Sequence, residues 1–236
     1  MLNETFYLDG IDARSAGIQL QASIEFSEAV PIVEAQTIPG RNGDLIWETG
    51  SYENRSGSAS CFCLQKDVEK ALSSAGRFLM GKRGYRRLET SDDPDHYWMA
   101  RVENSPRIEQ RLRMLAPFEI GFDCKPQRFV KSGENAVVFT ASGSLFNQYG
   151  QVALPFITLY GQGAGSLTIG DCVVEVKAFE GLLYLDSDTQ NAYNNNGNQN
   201  MNINAPVFPV LGDGEISIVF SGGIDRVEII PRWWEL

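Results

Sequence analysis

The chain has 236 residues, 43% of them hydrophobic, with 30 acidic against 20 basic side chains and a formal net charge of −10. That is enough apolar material for one large or two modest globular units, and no apolar run is long enough to span a membrane. The charge is uneven: residues 1–130 carry 16 Lys and Arg against 19 Asp and Glu, residues 131–236 only 4 against 11, which excludes phosphate-dominated nucleic-acid binding by the second half.

The start, MLNETFYLDG, lacks the basic and apolar regions of a secretory signal, so synthesis in the cytoplasm is expected. Residues 5–35 read as short β segments. Ile18 and Leu20 alternate with glutamines, and Pro31 suits a strand start or an edge. Between Ile38 and Arg55 (IPGRNGDLIWETGSYENR) two turn signals, Pro39-Gly40 and Asn42-Gly43, sit one residue apart. A short β-prone run, Leu45-Ile46-Trp47, follows and is stopped by Gly50. Pro presets the first turn position and Gly accepts the positive φ after it, so a hairpin is predicted. A hairpin rich in Trp, Tyr and Arg suits gripping another surface.

Ser56 to Leu64 predicts one core-facing strand. Val68, Ala71, Leu72, Ala75, Phe78 and Leu79 recur at helical spacing from about Lys66 to Met80, with Asp67 and Glu69 near the start and Gly81 and Gly84 beyond the end, which predicts the single helix. Strands are predicted over Arg86–Leu88, Tyr97–Val102 and Arg111–Phe122, with a turn at Ser91–Asp95 and Pro126 closing the first unit. The arginine groups Arg83, Arg86, Arg87 and Arg107, Arg111, Arg113 have acids nearby and read as a solvated mixed-charge face. A boundary falls near 130–134. Beyond it seven strands are predicted, starting near Val137, Phe156, Ser166, Val173, Leu182, Glu215 and Arg226, an antiparallel β-sandwich without helices. Gly161-Gln162-Gly163-Ala164-Gly165 reads as a tight turn and Asn191–Asn204 as a long exposed loop. Trp233-Trp234 is expected to pack the last strand into the body.

No constellation carries chemistry. His96 is the one histidine, and Asp92, Asp93 and Asp95 lie beside it on one turn, whereas a triad draws its partners from separate segments. Calcium loops space their ligands differently. Cys61, Cys63, Cys124 and Cys172 lack zinc spacing and are expected as reduced thiols, Cys61 and Cys63 buried. No catalytic, metal or cofactor residues are assigned, and no enzyme activity is expected.

PGRNGDL followed by YENR resembles the signature of siphophage distal tail proteins. Gly84-Tyr85-Arg86-Arg87-Leu88 with Ser91-Asp92-Asp93-Pro94-Asp95, then Phe122–Phe129, then Ile229–Leu236 match that family in the same order. The resemblance implies a mainly β chain. Residues 1–130 would be a β-rich belt domain with one helix and a protruding hairpin arm, and residues 131–236 a galectin-like antiparallel β-sandwich. It implies a virion component made in the bacterial host cytoplasm, encoded by a phage or prophage. Six copies would form a ring hub joining the tail tube protein to the tail-tip hub or tail-associated lysin and the receptor-binding proteins. Arg41, Asn42, Asp44, Trp47, Tyr52, Glu53 and Arg55 are assigned to the arm's contact with a neighbouring copy. A second reading is a lectin-like module attaching the tail to host glycans; a third, an enzyme acting on cell-wall polysaccharide.

Overall fold

The computed structural model describes residues 4–63, 68–103 and 116–236. Leu64, Lys66, Asp67, Arg107, Arg111, Arg113 and Leu115, and the side chains of Val68, Glu69, Ala71 and Leu72, lie outside what is described. The chain is mainly β and divides into two compact units, which part between Arg128 and Phe129.

In the first unit, short alternating segments give β1 (Phe6–Leu8), β2 (Ile11–Asp12), β3 (Ile18–Leu20) and β4 (Glu25–Phe26). Then come β5 (Pro31–Gln36), β6 (Leu45–Tyr52), β7 (Arg55–Cys63), α1 (Val68–Met80), β8 (Arg86–Thr90), β9 (His96–Val102) and β10 (Ala116–Val130). One sheet runs β2-β1-β8-β9-β10-β7-β3, with β4 also on β7. Its buried face takes Phe6, Leu8, Ile18, Ala59, Cys61, Leu88, Ile120 and Phe122, and α1 lays Ala75, Leu79 and Phe78 on the same core. Each such side chain removed from water contributes about 1.5–3 kcal/mol. Pro126 does not end β10. The ladder to β7 stops at Cys124↔Arg55, so the missing N–H of Pro126 costs that ladder nothing.

Arg86 ties the helix to the sheet. Its guanidinium is almost fully buried and donates to the Phe78 carbonyl (2.7 Å) at the helix end and to Asp9 Oδ2 (3.0 Å). A cation is favoured there by the helix dipole, and a buried charge needs such partners.

The second unit contains β11 (Val137–Phe139), β12 (Gly143–Asn147), β13 (Phe156–Ile169), β14 (Cys172–Asp186), β15 (Asn191–Asn194), β16 (Gly197–Asn198), β17 (Ile203–Asn204) and β18 (Gly214–Ile230). The sheet order is β11-β18-β13-β14-β15-β16, with β12 also on β18 and β17 on β14. Here the structure corrects the sequence reading. Six of the seven predicted strands are halves of three long ones. The glycine segment 161–165 is no turn; it lies inside β13, where the register with both neighbours shifts.

The reason is close main-chain approach. A Cβ on Gly223 would sit 1.9 Å from the Gln162 carbonyl oxygen, and one on Gly161 2.0 Å from that of Gly223. Glycines therefore let three adjacent strands bulge at one level. Each strand delivers one buried pair on either side: Ile157 and Leu159 with Leu167 and Ile169, Val174 and Val176 with Leu183 and Leu185, Ile216 and Ile218 with Val227 and Ile229. The sheet curls around a single core made by these pairs.

The Asn-rich segment is also corrected. It folds as β15, β16, a short 3-10 turn and β17, held by its own amides. Asn200 accepts from the Ala192 N–H at 2.6 Å and donates to Asn191 at 3.0 Å, while Asn204 donates to Glu175 at 3.0 Å. Trp233 is buried, with its ring against Tyr149 and its backbone closing on Gly133, and Trp234 Nε1 donates to the Val152 carbonyl.

Replacing Gly223 by Ala is expected to cost about 2–3 kcal/mol through overpacking against backbone. Gly76→Ala, in open space on α1, is expected to stabilise by about 0.5–1 kcal/mol. Urea unfolding of the two variants checks both signs.

Candidate interaction surface

β5 and β6 pair only with each other, as a separate two-stranded sheet. The register runs Glu34↔Trp47, Ala35↔Ile46 and Gln36↔Leu45, with an irregularity between Pro31 and Val33. β6 continues through Gly50 to Tyr52, so Gly50 (φ 73°) does not stop it. At the tip, Ile38–Arg41 is a closed turn: the Arg41 N–H donates to the Ile38 carbonyl at 3.1 Å and Gly40 has φ 85°. Thr37 Oγ1 donates to Asp44 at 2.7 Å across the loop.

This ribbon keeps its apolar side chains in water. Ile46 is 62% exposed, Trp47 60% and Val33 49%, with Val30 and Ile32 also open. Opposed residues share a face, so Trp47 and Ile46 stand on opposite faces. An isolated two-stranded ribbon is marginal in water, and burying two such side chains is worth about 1.5–3 kcal/mol each. The ribbon therefore holds burial energy that the fold of this chain does not use.

Its root is stiff. Phe26 stacks on buried Trp98 with centroids 4.3 Å apart, and a Cβ on Gly57 would press that ring. Ser27 and Ser56 bond through their main chains at 2.9 Å, and Arg55 Nε donates to the Ser27 carbonyl at 2.6 Å. The Glu53 N–H donates to the Val30 carbonyl. Asn54 donates to the Tyr85 hydroxyl (2.6 Å) and to Asp123 (2.9 Å), and Asp123 also accepts from Arg101. Three of the sequence stretches that carried the resemblance thus meet here: YENR, the Gly84–Leu88 stretch and the Phe122–Phe129 stretch.

The structure places the assigned residues in two groups. Arg41, Asn42, Asp44 and Trp47 are on the arm and its tip, while Tyr52, Glu53 and Arg55 are at its base. Sequence reasoning missed Phe26, Asn54 and Trp98 as root residues, and also missed that Pro31–Gln36 is the arm's other strand. The strict exposure of apolar Val30, Ile32 and Val33 gives no signal distinguishable from a buried strand.

Asp93 is an anchor. His96 Nδ1 lies 2.7 Å from one carboxylate oxygen, and Arg128, itself over the Trp98 ring, donates to the other. Burial alone would raise the Asp93 pKa, but hydrogen bonds from His96 and Arg128 hold it below the usual 3.8. Asp9 behaves likewise, with Lys82, Arg86 and the Arg87 N–H offsetting burial. Burial pushes the Cys61 and Cys124 thiols up to about 12, so both stay protonated. Among the described residues no group of three or more His, Cys, Asp or Glu is placed to hold a metal, and no helix is long and apolar enough to cross a membrane. In the second unit an open hollow of about 400 Å³ is lined by Asp171, Cys172, Val173, Glu175, Asn204, Pro206 and Val207. The outer-face rings of Phe156 and Tyr184 stack, with Tyr193 tilted against both.

A one-helix β unit carrying an arm, joined to a curled antiparallel unit, is a fold shared with a solved phage protein. That structure is of SPP1 Dit (gp 19.1), described as a paradigm of the hub adsorption apparatus in phages that infect Gram-positive bacteria. The TM-score is 0.75, over 96% of this chain and 98% of that one, at 16% sequence identity. No protein-family model and no curated protein matches the chain.

Depressed carboxyl pKa values stabilise the fold above 3.8, and that contribution is lost as pH falls through the lower folded-state values. Asp93→Asn is expected to lower the melting temperature at neutral pH and to flatten its fall below pH 3.8, read by thermal denaturation across that range. Asn54→Ala is expected to cost about 1 kcal/mol and to speed hydrogen exchange in the arm strands β5 and β6, with the β13–β14 ladder of the second unit unchanged.

Proposed function

We propose that this chain is a structural component of a siphophage or prophage tail tip. Six copies close into a ring hub that joins the tail tube to the tip hub and receptor-binding apparatus. The first unit acts as the ring-forming belt and the second as a galectin-like domain. The chain is made in the host cytoplasm and works in the virion, mechanically rather than as an enzyme.

The observation that carries this reading is the uncovered arm. A ribbon with apolar groups on both faces and a rigid root needs another surface, and a ring of like subunits supplies that surface once per copy. The fold likeness over nearly the whole chain supports the same reading. Trp47 and Tyr52 are taken as the apolar anchors, Arg41, Asn42, Asp44 and Glu53 as the polar rim, and Arg55 as the residue that holds the base in register.

Replacing Trp47 and Tyr52 together by Ala is expected to leave a folded protein, by circular dichroism, with a weakened ring. Light scattering that finds the same oligomer for the double variant and the parent would overturn the assignment.

A further inference from the structure

If copies assemble through the arm, some surface of this chain must be its acceptor. The arm's charge narrows the choice. Residues 30–53 carry four acids, Glu34, Asp44, Glu48 and Glu53, against Arg41 alone. Glu34 stands opposite Trp47 and Glu48 opposite Val33, so each lies beside an exposed apolar group. Neither acid has an ion-pair partner among the described residues. The acceptor should therefore be basic, with apolar side chains among its cations.

One surface of the first unit answers that description. Outside the arm, the described residues up to Arg128 expose three large apolar side chains, Ile11, Met80 and Tyr85. Met80 and Tyr85 bracket the end of α1, where Arg77, Lys82 and Arg83 are also exposed. Ile11 follows Asp9 by two residues, and Asp9 binds Lys82 Nζ at 2.9 Å. Asp9 accounts for Lys82, whereas Arg77 and Arg83 make no ion pair among the described residues. The exposed apolar groups and the unpaired cations thus coincide, with the opposite sign to the arm.

We propose that the arm's acceptor is a second copy of this chain, at the basic apolar segment 77–85 that closes α1, with Ile11 at its border. This rests on the ring reading above and specifies where the contact is made. Arg83 and Arg77 face Glu34, and Trp47, on the same face of the ribbon as Glu34, covers Met80. The arm strands span about 20 Å at β-strand rise, long enough to cross from one globular unit to the next. Tyr85 joins the acceptor to its own copy's arm root through Asn54, so a received arm sits beside the base of the arm that is given.

The test is charge exchange in the full-length chain, read by sedimentation velocity over a concentration series. Glu34→Lys and Arg83→Glu are each expected to raise the concentration for half-assembly about tenfold, as loss of a desolvated charge contact does, while Glu48→Lys, on the opposite face of the ribbon, leaves it near the parent's. Combining Arg83→Glu with Glu34→Lys should restore assembly. All three positions are exposed, and unchanged circular dichroism checks the fold. Parent-like assembly of Arg83→Glu, a Glu48→Lys defect equal to that of Glu34→Lys, or no recovery in the combination overturns the acceptor. If the Trp47/Tyr52 variant loses the ring while Arg83→Glu keeps it, the ring stands and the acceptor lies elsewhere. A parent chain that stays monomeric at every concentration removes both.

Discussion

Water is the constraint on which the first unit turns. Its sheet buries one face under α1 and could end there, yet the chain leaves that sheet after Phe26 and returns only at Arg55. In between it builds a ladder whose side chains have no interior. Trp47, Ile46 and Val33 cannot all be sheltered by one another, because the pleat sends them to opposite sides. Their burial energy is thus held back from folding and kept for association. In the proposed contact, the shortage of cations on the arm and their concentration at the end of α1 give association a direction, from one copy's arm to the next copy's helix end.

The second unit solves a different problem. Its strands are long, and a flat sheet of that length would leave half its apolar side chains without cover. Bulging at one level folds the sheet over its own core, and the cost is met by glycine in positions where any side chain would strike a carbonyl. Its surface is acidic and its few cations are committed: Arg226 to Glu228 and Tyr160, Arg232 to Asp186 and Phe156.

Much of this was legible in the residues. Alternation at Ile157, Leu159, Leu167 and Ile169 located strands correctly, and the stripe ending in Phe78 and Leu79 located the helix. The closed turn at Pro39-Gly40 and the bend at Asn42-Gly43, both at the arm's tip, followed from those dipeptides. What failed was the meaning of glycine inside a β region. A positive φ serves a hairpin turn and a bulge equally, so Gly161–Gly165 and Gly222-Gly223 looked like strand ends when they were bends. The asparagines misled for a related reason: side chains that favour loops can also satisfy each other's amides and build a compact hairpin. The arm's first strand was missed because Pro31–Gln36 has the composition of a core strand, and exposure is a tertiary property. Asn54 and Tyr85 meet across 31 residues, a pairing local pattern does not announce.

The rigidity of the arm's root has a geometric consequence. Head-to-tail contacts do not by themselves make a closed object; with a loose joint they generate helical filaments of any length. Whether a chain of such contacts returns to its starting point depends on the rotation between consecutive copies. That angle is set where the arm leaves the body, by the Phe26–Trp98 stack, the Ser27–Ser56 bond and the clasp of Asn54 on Tyr85 and Asp123. In the proposed ring, a handful of side chains at one corner of the body thus acts as the protractor of the assembly and decides its stoichiometry.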